Sequence, residues 1–271
     1  MNPTARIGAV GYLNSKPLVE ALPRLAPQAQ IVLDVPSRLA DLLAAGQLDV
    51  GLIPSVEYFA HPQFRIVSDA CIGCAGAVWS VKLLSRVPAE QIRSLALDEG
   101  SRTSAALVQI LLAKQHGVHP RVEPLPLGHD PLQTTTDAVL VIGDRAIGTQ
   151  PDERFPVVWD LGQKWYEWTG LPFVFAMWVA RPEADHIWLA EVLNQARDWG
   201  LAHLEQIAQR EAPQLGLSFQ QCLRYFQHNL HFVLGPRERQ ALEHFYRLAR
   251  QCQLVQQEVC LGYQDCRPSA G

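Results

Sequence analysis

Short apolar runs alternate with helix-period runs through roughly the first 180 residues. That alternation predicts βαβ units and mostly parallel sheets. Residues 6–10 read as a first strand and 17–25 as the helix behind it. Residues 30–35 predict a second strand stopped by Pro36, after which Ser37 caps a helix with Leu39, Ala40, Leu42 and Leu43 at apolar spacing and Gly46 as its stop. Residues 49–53 predict a third strand, and 54–58 a turn that opens a short helix. The apolar stretch 75–84 suits a strand crossing between lobes. A second series follows, with a strand at 94–97, a helix at 103–114, a strand at 121–126 and a buried strand at 137–142. Residues 173–179 are long and apolar enough to carry the chain back. After Pro182 the pattern turns helical to about residue 255, with Trp188, Val192, Ala196, Trp199 and Ile207 near helical spacing. Phe219, Leu223, Phe226 and Leu230 repeat it, and Gly235-Pro236 opens a last helix. The tail after Cys260 has no periodicity and is expected to fray.

This layout predicts an α/β protein of two lobes, each a mostly parallel sheet flanked by helices, with a helical C-terminal segment. Residues 1–85 and 176–271 form the first lobe and 86–175 the second, hinged near 78–86 and 172–178. In open parallel sheets, ligands sit outside the carboxyl ends of the strands. Polar groups stand at several of these ends: Asn14 after the first strand, Ser55 after the third, Ser80 at the first crossing, and Gly143 with Asp144 after 137–142. The richest is Ser101-Arg102-Thr103-Ser104, at the start of a helix. Free N–H groups and the positive end of the helix dipole there favour a carboxylate or phosphate. Each residue also has a plainer use. Ser101 or Thr103 caps the helix, Asn14 holds a turn, Ser80 fills a small core site, and Asp144 caps a helix. Taken together they point to a cleft for a small anion.

Composition narrows the classes. A chain of 271 residues with 48% hydrophobic and 18% charged residues builds a sizeable core. A net charge of −4 and the lack of a basic stripe argue against nucleic acid. No apolar run is long enough for a membrane span, and residues 1–13 lack a secretory pattern, so the cytoplasm is the expected location. The six cysteines then read as reduced thiols, with Cys71 and Cys74 at a buried strand end rather than in a redox or zinc site. His116 with His119, and His228 with His231, lack the glutamate of zinc helices and read as solvated faces. There is no nucleophile elbow, phosphate loop or dinucleotide fingerprint, so neither cofactor nor metal is expected. An enzyme built on these loops works by positioning and by stabilising charge.

Five stretches carry a resemblance to a known family. They are Gly11-Tyr12-Leu13-Asn14-Ser15, the run from Asp49 to Tyr58, Ser101-Arg102-Thr103-Ser104, Val141-Ile142-Gly143-Asp144, and the run from Trp168 to Ala176. The last is the most specific. On these the chain resembles the chorismate dehydratases of menaquinone biosynthesis by the futalosine route. The resemblance implies a type II periplasmic-binding-protein-like fold working in the cytoplasm. It also implies a dicarboxylate partner, chorismate, dehydrated to 3-[(1-carboxyvinyl)oxy]benzoate. Asn14 and Ser80 are then the expected catalytic residues, with Ser55, Thr103, Ser104, Gly143 and Asp144 as substrate-binding groups. Two other functions suit the same layout: a non-catalytic binding protein for a small carboxylate, and the dihydroxynaphthoate synthase of the same pathway.

Overall fold

A computed structural model describes residues 4–256. Three strands, β1 (Arg6–Val10), β2 (Gln30–Asp34) and β3 (Val50–Pro54), pair in parallel with β1 in the middle. Ile7 lies beside Ile31 and Val50 and is fully buried. The expected helix 17–25 is two single turns, α1 (Lys16–Val19) and α2 (Leu22–Leu25). Pro23 sits in the first turn of α2, where its missing N–H is harmless, but its ring could not continue a helix running through α1. Pro36 likewise opens α3 (Pro36–Ala44), so Val35 and not Ser37 is the capping position. Ser37 instead donates its N–H to the Gly100 carbonyl at 3.2 Å.

After α4 (Ser55–Ala60) the chain forms β4 (Arg65–Cys74), leaves the first sheet, and enters the second as β5 (Val81–Ser85). The expected continuous strand over 75–84 is thus broken. Gly76 at φ +132° and Trp79 at φ +67° turn the chain between the sheets. The second sheet adds β6 (Ser94–Asp98), β7 (Arg121–Leu125), β8 (Ala138–Ile142) and β9 (Val157–Asp160) in the order β7-β6-β8-β5-β9. Helix α5 (Arg102–His116) follows β6, and α6 (Leu161–Thr169) follows β9. The chain then returns as β10 (Phe173–Ala180), which inserts between β3 and β4 and runs against both. Both sheets are therefore mixed rather than mostly parallel, because β5 and β10 enter against the strands wound by βαβ connections. Residues 81–85, grouped with the first lobe from sequence, pair in the second sheet. Phe173 and Val174, grouped with the second, pair in the first.

The C-terminal segment packs on the first sheet as α7 (His186–Ala202), α8 (Leu204–Glu211), α9 (Phe219–Arg224) and α10 (Pro236–Gln251). It is not wholly helical: β11 (His231–Val233) adds an edge to β4, giving the order β11-β4-β10-β3-β1-β2. Helix α7 approaches α1 so closely that a Cβ on Gly200 would lie 1.8 Å from the Pro17 carbonyl oxygen. Aromatic packing ties the parts together. Phe245 of α10 sits 5.0 Å from Phe173 and 6.2 Å from Trp165, all three fully buried. Truncating one such ring costs about 3–5 kcal/mol. Cys260, Cys266 and the tail expected to fray lie outside the described residues.

Candidate active site

The loop after β1 is closed by Ser15, whose hydroxyl donates to the Val10 carbonyl at 2.6 Å and lies 2.8 Å from that of Tyr12. That closure sets Tyr12 and Asn14 facing the second sheet. The Tyr12 ring lies on Gly143, where a Cβ would meet three ring atoms at 3.1 Å and where φ is +69°. Only glycine fills both conditions without strain. One residue on, Asp144 accepts the Leu13 N–H at 2.9 Å, joining the two lobes through their loops. Burial raises the Asp144 carboxyl above its ordinary range, opposed by that N–H and by the charge of Lys16.

Ser80 is presented by an unusual turn. Its N–H returns to the Val78 carbonyl at 2.8 Å, a γ-turn centred on Trp79 with positive φ. This is the rare, strained hand of that turn. Asp160 holds it in place by accepting the Val78 N–H at 2.9 Å and the Trp79 N–H at 2.6 Å, and it also caps α6 through the Gln163 N–H at 3.0 Å. Ser80 is 1% exposed, and its hydroxyl lies 3.5 Å from the Val78 carbonyl.

At the start of α5, Ser101 caps the helix by accepting the Ser104 N–H at 3.3 Å, while its own hydroxyl donates to Ser104 Oγ at 2.9 Å. The capping alternative is therefore realised at Ser101, whose hydroxyl is paired with that of Ser104. Thr103 and Ser55, expected to touch the ligand, are placed behind this wall. Thr103 Oγ1 accepts the Val56 N–H at 3.1 Å and lies 3.4 Å from Ser55 Oγ, which donates to the Val174 carbonyl at 2.7 Å. Both hydroxyls bind the starts of α4 and α5 to β10. Arg102 pairs with Asp41 at 2.8 Å and with Glu57 at 3.3 Å, clasping α5 to α3 and α4.

These loops enclose a cavity of about 30 Å³ between the sheets. Tyr12, Asn14, Ser80, Ser101 and Ser104 supply its polar wall, and Ile72, Ile142 and Phe175 face them. Gly143 contributes backbone, whereas Asp144, Thr103 and Ser55 do not line it. Asn14 is among the lining residues, and its Oδ1 is buried with no hydrogen-bond partner among the described residues. Buried polar atoms almost always find partners, so this orphaned acceptor stands out among the residues of the cavity. The lining contains no histidine, carboxylate or lysine. Burial first, then the charge of Asp98, pushes the Tyr12 phenol up to about 12, leaving it a neutral donor. Asp98 is itself engaged by the Gly100 N–H at 2.9 Å and by Arg145. A wider groove of about 500 Å³ lies outside, between α3 and the start of α5, and Ser101 borders both spaces.

The other candidates fall to packing. Cys71 and Cys74 are buried on β4 opposite Met177 and Phe173, and burial pushes both thiols well up. His116 is not a solvated face, since it pairs with Glu90 at 2.7 Å and lies over Trp159. Among the described residues no group of three or more histidine, cysteine or carboxylate side chains is placed to hold a metal. Sequence reasoning missed Asp160 and the shape of the 78–80 turn. The available signal was an Asp between an apolar strand and a helix, which reads only as a cap.

Against this geometry, the profile of the menaquinone biosynthesis family matches residues 5–251. The chain belongs to that family. A chorismate dehydratase of Thermus thermophilus is 31% identical over 262 residues, covering 85% of this chain and 94% of that one. Among solved structures, a protein of Archaeoglobus fulgidus superposes with a TM-score of 0.72 at 14% identity, over 93% of this chain and 98% of that one. A Candida albicans protein described as having the generic periplasmic binding protein fold gives 0.62 at 14% identity, over 94% and 92%. At such identities the last two speak for the fold alone. This member of the menaquinone biosynthesis family thus has the periplasmic-binding-protein fold. Its site of interest is the seam between the two sheets.

Proposed function

We propose that this chain dehydrates chorismate to 3-[(1-carboxyvinyl)oxy]benzoate and water in the cavity between the lobes. The observation that carries the reading is the orphaned Oδ1 of Asn14, a residue that lines with Ser80 a cavity whose wall holds hydroxyls and an amide but no histidine, carboxylate or lysine. The 31% relative supplies the substrate. Chorismate carries two carboxylates. Ser101, Ser104 and the free N–H groups at the start of α5 suit one of them. Thr103, Ser55 and Asp144 buttress that cradle from behind, and Gly143 lets Tyr12 close over it.

The reaction removes the ring proton on the carbon bearing the enol ether and expels the neighbouring hydroxyl, leaving an aromatic ring. That proton is vinylogous to the ring carboxylate, so its loss pushes charge into the carboxylate as an extended enolate. Donors fixed there act more strongly on the transition state than on the ground state. One such donor is worth about 3–4 kcal/mol. Asn14 and Ser80, opposite, hold the enolpyruvyl group and the leaving hydroxyl. With no base on the wall, a carboxylate of the substrate takes the proton and passes it to the departing hydroxyl as water forms.

A cavity of about 30 Å³ is far below the roughly 300–1,000 Å³ of small-molecule pockets, so the lobes part for entry and exit. Parting breaks the Arg102 pairs, the Asp144–Leu13 hydrogen bond and the Ser37–Gly100 hydrogen bond. We place the protein in the cytoplasm, where the free thiols of Cys71, Cys74, Cys222 and Cys252 stay reduced. Purified protein incubated with chorismate and followed by mass spectrometry should yield a product lighter by one water. Chorismate that binds and is recovered intact would instead make this a binding protein.

A further inference from the structure

Tyr225 opens a single π-helical turn, Tyr225–Asn229, placed where α9 ends. Such turns are rare and gather at functional sites, because the wider turn re-aims a side chain. Tyr225 is 0% exposed, and its ring meets Trp79 edge-on with centroids 5.6 Å apart. Its hydroxyl lies against the Ser80 side chain yet has no partner in full hydrogen-bond geometry among the described residues. An unpartnered buried hydroxyl destabilises a fold, so its position asks for a reason. The Ser80 hydroxyl beside it is loosely held as well, with a long 3.5 Å contact to the Val78 carbonyl. Two loosely held hydroxyls thus stand next to each other, one on the cavity wall in the strained turn and one behind it on the π-turn that packs against that turn.

We propose that Tyr225 is a positioning residue for Ser80: once substrate is bound, its hydroxyl donates to Ser80 Oγ and so turns the Ser80 O–H toward the leaving hydroxyl of the substrate. The inference rests on the reading of Ser80 as a group that touches substrate. Hydrogen bonds in a chain polarise one another, so a donor behind Ser80 makes Ser80 a stronger donor in front. Burial holds the phenol well above its ordinary range, opposed by the contact with Ser80 and assisted by the charges of Asp144 and Asp160. Tyr225 therefore keeps its proton and contributes a dipole, not acid–base chemistry. Tyr225 brings the C-terminal helical segment, which supplies none of the residues lining this cavity, up to the turn that presents Ser80.

A double-mutant cycle on the full chain, with chorismate as substrate, tests this. Y225F should lower kcat about tenfold, the upper range for one neutral hydrogen bond, with KM within about twofold. Because the hydroxyl has no partner in full hydrogen-bond geometry in the substrate-free protein, Tm there should hold or rise. In an S80A background the same change should cost nothing further, since the relay is already cut. If S80A is impaired while Y225F turns over normally, or if the two losses multiply, the relay is overturned and the site stands. A Y225F protein that loses several degrees of Tm would show a structural role and also overturn it. If S80A itself turns over normally, the site reading falls, and the relay with it.

Discussion

Asn14→Leu separates a functional residue from a structural one by the sign of two effects. The side chains are similar in volume, so the change removes polarity while largely keeping packing. In the structure Asn14 Oδ1 is buried without a partner, and an orphaned buried acceptor costs a fold about 1–3 kcal/mol. The adjoining cavity of about 30 Å³ has room for roughly one water, which softens that cost toward the lower end. Relief of about 1 kcal/mol corresponds to a rise of about 2–4 °C in Tm for a chain of this size. Activity should move the other way. Losing one preorganised group that orients the leaving hydroxyl lowers kcat about 10²–10³-fold. Differential scanning calorimetry and a chorismate turnover assay on the same preparation read both. Turnover within tenfold of wild type, or a Tm lowered by more than about 4 °C, would refute the reasoning, because Asn14 would then be holding the loop rather than facing a ligand.

Asp160→Asn tests the turn that presents Ser80. A carboxamide has one acceptor oxygen where the carboxylate uses both, on the Val78, Trp79 and Gln163 N–H groups, so at least one N–H loses its partner. A loss of about 2 kcal/mol, seen as a Tm lower by about 4–8 °C, should accompany a fall in kcat; unchanged kcat would separate the turn from catalysis. Gly143→Ala places a Cβ at φ +69° and 3.1 Å from the Tyr12 ring. Strain of about 1–2 kcal/mol should lower Tm by several degrees, and a displaced Tyr12 should raise KM for chorismate more than it lowers kcat. A Tm equal to wild type would mean that the ring gives way freely.

The strand ends were legible because apolar runs bounded by Pro, Gly and hydroxyl residues announce them, as at Gln30–Asp34 before Pro36 and at Ala138–Ile142 before Gly143. The cleft followed from them. Which hydroxyl faces it did not. Thr103 and Ser104 are neighbours on a helix, where successive side chains point about 100° apart, so one lines the cavity while the other meets α4. Ser101 remained both a cap and a wall residue. Strand β4 was obscured because Ser68, Asp69 and Gly73 interrupt its apolar run, and β11 is only 3 residues long. The Trp79 turn was invisible for a different reason: a bulky residue at positive φ contradicts local preference, and tertiary contacts through Asp160 impose it. Tyr225 read as part of a helical period. Nothing in its spacing announces a π-turn or a serine nearly 150 residues earlier.

The most direct measurement compares wild-type protein and S80A, matched for Tm, for the rate at which each converts chorismate to an aromatic product. The account predicts steady formation of 3-[(1-carboxyvinyl)oxy]benzoate by the wild type and a rate about 10²–10³-fold lower for S80A. Chorismate left unchanged by folded wild-type protein, or equal rates for the two, would contradict it.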